Sequence, residues 1–220
     1  MEKSDRSQSS FEADSQDLHL QSKMRTIRVV DSARSGTTLL ALLMGLTVLG
    51  VSGNTLRVYQ ETHVPHEYML PLWPDDFNVR PTVSLVIGSA IVLVSSMAAL
   101  CFSHVGSLRS RTTAHTSVTF LAPLLGFAGA LIAVIFYYAV NASDVTDTFL
   151  SWTCRWTDVP MSQSPRWDTL CQQSHAGLYL AILLIPVELV ALALAAFQMK
   201  AERYADRYLG ARKTPVLAQA

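Results

Sequence analysis

Few residues in this chain have the type and spacing to do chemistry. Cys154 and Cys171 bracket most of the polar stretch SWTCRWTDVPMSQSPRWDTLC, residues 151 to 171. Outside the reducing cytosol such a pair can close a disulfide. Closing a loop of this size adds about 3 kcal/mol in the chain-entropy model. Two free or separately paired thiols are the alternative. Glu188 is the one charge in the run Ala176 to Phe197, and a carboxyl at such a place is a tie between helices, a proton or ion station, or a docking point for another subunit. Asn141 opens the sequon NAS, an acceptor for N-glycosylation. HVPH holds His63 and His66, but Pro65 between them breaks the helix that would align two imidazoles. No third or fourth ligand is spaced to join them, so no metal is expected.

These groups must be positioned by unusual elements. The chain has 220 residues, half of them hydrophobic and 15% charged, with no net charge, whereas soluble domains carry about 25% charged residues. Thr37–Leu56, Thr82–Phe102 and Val118–Val140 hold no charge, and Ala176–Phe197 holds only Glu188. A helix of roughly 20 apolar residues crosses a hydrocarbon core of about 30 Å. Four such helices in a water-soluble bundle would leave nothing polar to face solvent. The expected fold is therefore all-α, an integral membrane four-helix bundle with spans at about 36–57, 82–102, 118–139 and 176–198. Asn54 and Arg57 make the far end of the first span the least apolar. No cleavable leader is visible, so the first span is expected to act as its own insertion signal.

Basic residues near the spans tend to stay in the cytosol. The segments 1–35, 103–117 and 200–220 hold thirteen of the 17 lysines and arginines. The loops 58–81 and 140–175, with the Arg57 flank, hold the other four, together with eight acids. Both termini are thus expected in the cytosol, and Cys154 and Cys171 on the opposite side. The expected organisation is a disordered N-terminal tail (1–35), a four-span domain (36–199) with outer loops 58–81 and 140–175, and a partly helical cytosolic tail (200–220). The tail KAERYADRYLGARK interleaves Glu202 and Asp206 with Arg203 and Arg207, which suits a helix continuing beyond the membrane for about three turns.

All four tryptophans, Trp73, Trp152, Trp156 and Trp167, fall in the two outer loops. Indole suits a small loop core or the membrane boundary, and it is also enriched in interface hot spots. Asn141 lies so close to the third span that glycosylation is not expected. Cys101 ends the second span; a buried, inert thiol is the simpler reading, and reversible palmitoylation is the alternative.

Within the membrane, helices associate where small residues let backbones approach. The third span has Ala122, Gly126 and Ala130 at intervals of four, widened by Gly129 and Ala133. Counting depth along antiparallel spans places Thr47, Ser95 and Ser96 level with Glu188. A protonated Glu188 bonded to one of these hydroxyls would be a satisfied tie between helices. No basic residue in any span could pair with it.

Four spans, cytosolic ends, a short inner loop and a cysteine pair (Cys154, Cys171) in the second outer loop resemble the MARVEL-type tetraspans, the occludin and synaptophysin class. The resemblance covers residues 36–200 and implies a non-catalytic membrane protein. Claudin-like, tetraspanin, connexin-like and quinone-linked thiol reductase patterns are absent, and the chain is poorer in glycine than rotor proteolipids. The expected work is organising a membrane domain or binding another membrane protein through the second outer loop. The rival is a small transporter or channel subunit using Glu188. No enzyme chemistry and no cofactor are expected. The expected partners are the lipid bilayer and other membrane proteins or further copies of the chain, with no nucleic acid. The expected location is the plasma membrane or another secretory-pathway membrane.

Overall fold

A computed structural model describes the backbone except at residues 1, 64–71, 105–111, 144–146, 162 and 214–220. Side chains are described from residue 25 onward, apart from those gaps and residues 27, 104, 112–117, 202 and 204–213. His66, Arg109, Arg111 and Asp144 lie outside the described residues. Those that are described form five helices and no strand: α1 (Glu2–Thr62), α2 (Arg80–His104), α3 (Thr112–Ser143), α4 (Phe149–Arg155) and α5 (Trp167–Lys213). Four of them are long and apolar enough to cross a membrane, within Arg28–Thr62, Arg80–Ser103, Val118–Ser143 and Trp167–Ala201.

The chain divides into two compact units, Met1–Gly36 with Ala193–Ala220, and Thr37–Leu192. In the first unit the backbone of residues 2–35 is helical, in a stretch whose polar composition favours disorder. Once an apolar run has nucleated a helix, each added residue costs little, and α1 extends toward its N-terminus on that basis. Arg34 is buried there and donates to Asp31 at 3.1 Å, three residues earlier on the same helix. The helix after the last apolar run continues to Lys213.

The second unit is a bundle that buries small residues beside a few large ones and leaves many large ones outside. Its mid-section buries Ala41, Val92, Ala130 and Leu184, one from each long helix. Many large side chains point outward: Val94 and Ile132 are each 66% exposed, Ile135 58% and Leu183 55%. Water would not tolerate so large an apolar exterior. Hydrocarbon does, and in hydrocarbon close contact between small residues holds helices together. Gly88 of α2 meets α3 so closely that a Cβ there would lie 2.5 Å from Ala133 Cβ and 2.9 Å from the Gly129 carbonyl oxygen. Gly45 and Gly177 likewise admit Val92 and Val51, whereas Gly50 and Gly53 meet nothing within 4 Å. Polar bridges add to this packing: Ser84 Oγ donates to the Ala133 carbonyl at 3.2 Å, and Asn54 Nδ2 to Gln173 Oε1 at 2.9 Å. Arg57, at the polar end of the first apolar run, pairs with Glu61 one turn on, at 2.7 Å.

Candidate functional site

The end of the bundle that carries the disulfide is built differently. Trp73, Phe149, Trp167 and Leu170 form a buried cluster, with Tyr59, Phe77, Trp152 and Met161 packed against it. The rings meet mainly edge to face, as their quadrupoles favour. Centroids lie 4.8 Å apart for Trp73–Phe77 and Phe77–Phe149, and 5.1 Å for Trp73–Trp167. Trp73 Nε1 donates to Thr62 Oγ1 at 2.9 Å, at the last turn of α1. Segments far apart in sequence thus share one small core.

Thr148 joins them. It is 1% exposed and caps the N-terminus of α4 in a reciprocal capping box with Ser151. Its hydroxyl donates to Asn141 Oδ1 at 2.7 Å, and it forms a parallel bridge with Asn78, whose N–H donates to the Asp147 carbonyl at 2.8 Å. Short α4 was not anticipated from the sequence, although Thr148 and Ser151, three apart, were its available signal. Asn141 remains in α3, its amide nitrogen donating to the Tyr137 carbonyl at 2.9 Å. The atom that a glycan would use is therefore already engaged in the helix.

Cys154 of α4 and Cys171 of α5 form a disulfide with Cα atoms 4.9 Å apart. The segment that it closes bears exposed Trp156 and Val159, at 41% and 42%. The four tryptophans therefore separate: Trp73 and Trp167 are buried, Trp152 is half-buried against them, and Trp156 faces outward, 5.9 Å from Trp152. Composition could not make this distinction, because all four share one residue type and one kind of loop. A ring nitrogen of His175, one turn after Cys171, lies within 4.8 Å of both cysteine sulfurs. With the two sulfurs bonded to each other, this trio offers no thiolate to a metal.

Glu188 is 2% exposed, and its Oε1 is buried without a hydrogen-bond partner among the described residues. Its carboxyl occupies the space left by the missing side chain of Gly126 on α3. A Cβ at Gly126 would lie 2.6 Å from Oε1 and 2.9 Å from Oε2. The expected tie to Thr47, Ser95 or Ser96 does not form. Thr47 is exposed and bonds the Leu43 carbonyl at 2.9 Å; Ser95 bonds the Val92 carbonyl at 3.0 Å. Ser96 is buried, and Glu188 Oε1 takes no bond from it. Depth along the spans was the basis of that expectation, but depth does not fix which face of a helix a residue occupies, and hydroxyls readily bond back to their own helix. Ala122, Gly126 and Ala130 are all buried, so the small-residue stripe does face the bundle interior. Cys101, for which burial was expected, is an exposed free thiol; it lies on the outward face of α2 near the helix end.

A second feature is a cleft of about 650 Å³ between α2 and α3, lined by residues such as Ile87, Ile91, Val94, Leu121 and Leu125. No family model, curated protein or solved structure matches the chain.

Proposed function

We propose that this chain is a non-catalytic tetraspan membrane protein, its termini in the cytosol, which binds another membrane protein through its disulfide-closed loop. The MARVEL-type resemblance of its layout belongs to the same reading. The observation that carries it is the exposure of Trp156 and Val159 at 41% and 42%, on a loop whose base is held by a disulfide and an aromatic core. A rigidly presented tryptophan is a typical interface anchor, because little conformational entropy is lost when it docks. A photo-crosslinking residue introduced at Thr157 in cells tests the proposal. The parent chain should yield a discrete protein adduct, reduced at least about tenfold by Trp156→Ala, the size of an ordinary hot-spot loss. Crosslinks to lipid alone would remove the reading.

One observation favours the rival function: the buried, unpartnered Oε1 of Glu188, since an intramembrane carboxyl without a structural partner suggests a transported proton or cation. Reconstituted vesicles discriminate. A carrier loses its flux in the Glu188→Gln variant; equal flux in both proteins rules Glu188 out as the carrier.

A further inference from the structure

The Cys154–Cys171 bond lies beside a group that can serve its chemistry. Cys171 and His175 are four residues apart on α5, so they share a face of the helix. The imidazole stacks on Tyr179 a further turn on, with centroids 5.7 Å apart and planes at 23°, which limits its rotation. The two sulfurs and a ring nitrogen of His175 all fall within 4.8 Å of one another. Cys154, Cys171 and His175 are each half-buried, and Arg155, Trp156, Thr157 and Asp158 beside Cys154 are exposed. A thiol therefore has a solvent approach to Cys154.

Nor is the bond the only link between α4 and α5. Phe149 and Trp167, each a few residues before one of the cysteines, are buried in the same aromatic cluster with Leu170. That packing joins α4 to α5 independently of the bond. A disulfide that is reachable, backed by noncovalent packing between the same two helices and flanked by an imidazole is suited to exchange.

We propose that Cys154–Cys171 is a thiol–disulfide exchange site for low-molecular-weight thiols, with His175 serving the departing sulfur. The incoming thiolate attacks Cys154 Sγ, forming a mixed disulfide as the Sγ–Sγ bond breaks. The electron pair of that bond leaves on Cys171 Sγ, and a proton passes to it from the His175 ring when that ring is protonated, which leaves neutral imidazole. A second thiolate can then attack the adduct. It takes the small-molecule sulfur as the oxidised disulfide and leaves Cys154 reduced, so two thiols are oxidised for one protein disulfide reduced. Leaving-group stability governs the rate of such exchange, which is the step that His175 assists. His175 is here a positioning and proton-donating residue, and the chemistry requires no protein partner.

The test uses the purified full-length chain in mild detergent with reduced glutathione. Opening is followed by maleimide-polymer gel shift, above the constant signal of the free thiol at Cys101. The parent chain should open without unfolding, and His175→Ala should slow opening by about threefold or more, because a leaving thiol of higher pKa departs more slowly. His175→Lys restores a cation and should recover most of the rate; His63→Ala, at an exposed histidine, should change nothing. Equal rates in the parent and His175→Ala, or a bond that opens only in denaturant, would overturn the proposal. A purely structural role for His175 predicts no recovery with lysine. Should His175→Ala elute as aggregate, the parent chain still decides by adduct position. After alkylation of the released thiol, peptide mass should place glutathione on Cys154, and an adduct confined to Cys171 would refute the mechanism.

Discussion

The disulfide end and the mid-section of the bundle pack by opposite rules. At the disulfide end, large rings turn inward around Trp73 and Phe149, which are 3% and 2% exposed. A hydrogen-bonded indole, a capped helix and a covalent bond complete that core. In the mid-section Ala41, Ala130, Gly126 and Ser95 turn inward beside Val92 and Leu184, while many large side chains such as Ile132, Ile135 and Leu183 face out. Water accounts for the first pattern, since burying a ring there removes much apolar area from solvent. Hydrocarbon accounts for the second, since no such force acts between helices already surrounded by apolar chains. One polypeptide thus shows where its solvent changes.

The sharpest way to break this contrast is to truncate a ring at the disulfide end. Trp73→Ala should cost about 3–5 kcal/mol, read as a large fall in the thermal midpoint in detergent. It should also weaken the alignment of the loop bearing Trp156. A smaller loss is expected where the helices touch. Gly88→Ala forces a methyl against Ala133 and the Gly129 carbonyl, an overpacking worth about 1–3 kcal/mol. Gly50→Ala, with nothing within 4 Å, should cost nothing by the same measurement. Trp156→Ala should also cost little, within about 0.5 kcal/mol, although this is the substitution expected to weaken partner binding at least about tenfold. A large stability loss at Trp156 would place it in the core and erase the distinction drawn above. A further comparison concerns Glu188 itself. Gly126→Ala should destabilise the bundle, because the added methyl meets the Glu188 carboxyl. Adding Glu188→Ala should recover most of the loss. Additive losses would show that the two residues are not in contact.

Much of this arrangement was legible in the sequence. The four apolar runs, three of them uncharged, give helices because the bilayer demands internal backbone hydrogen bonds from any segment inside it. Cys154 and Cys171 could be paired because no other cysteine shares their loop. The stripe Ala122, Gly126, Ala130 marked a packing face by its spacing alone. The partner of Glu188 was less accessible, because level is readable from residue counts while facing depends on helix rotation. Helix α4 was hidden inside a loop whose residues read as polar connection, and the start of α5 at Trp167 rather than near Ala176 was obscured by charge and polarity in its first turns.

By itself, then, the order of residues decided which segments can live in lipid, where the two bonded thiols stand, and that the tryptophans avoid the spans. These follow from local composition, which responds to solvent without reference to the rest of the chain. Only the tertiary structure decided that Glu188 rests on Gly126, that His175 stands beside the disulfide, and that Trp156 alone of the four indoles is turned outward. Each is a meeting of residues from separate turns or helices, and such meetings depend on helix rotation and on close approach in three dimensions, which no local pattern encodes.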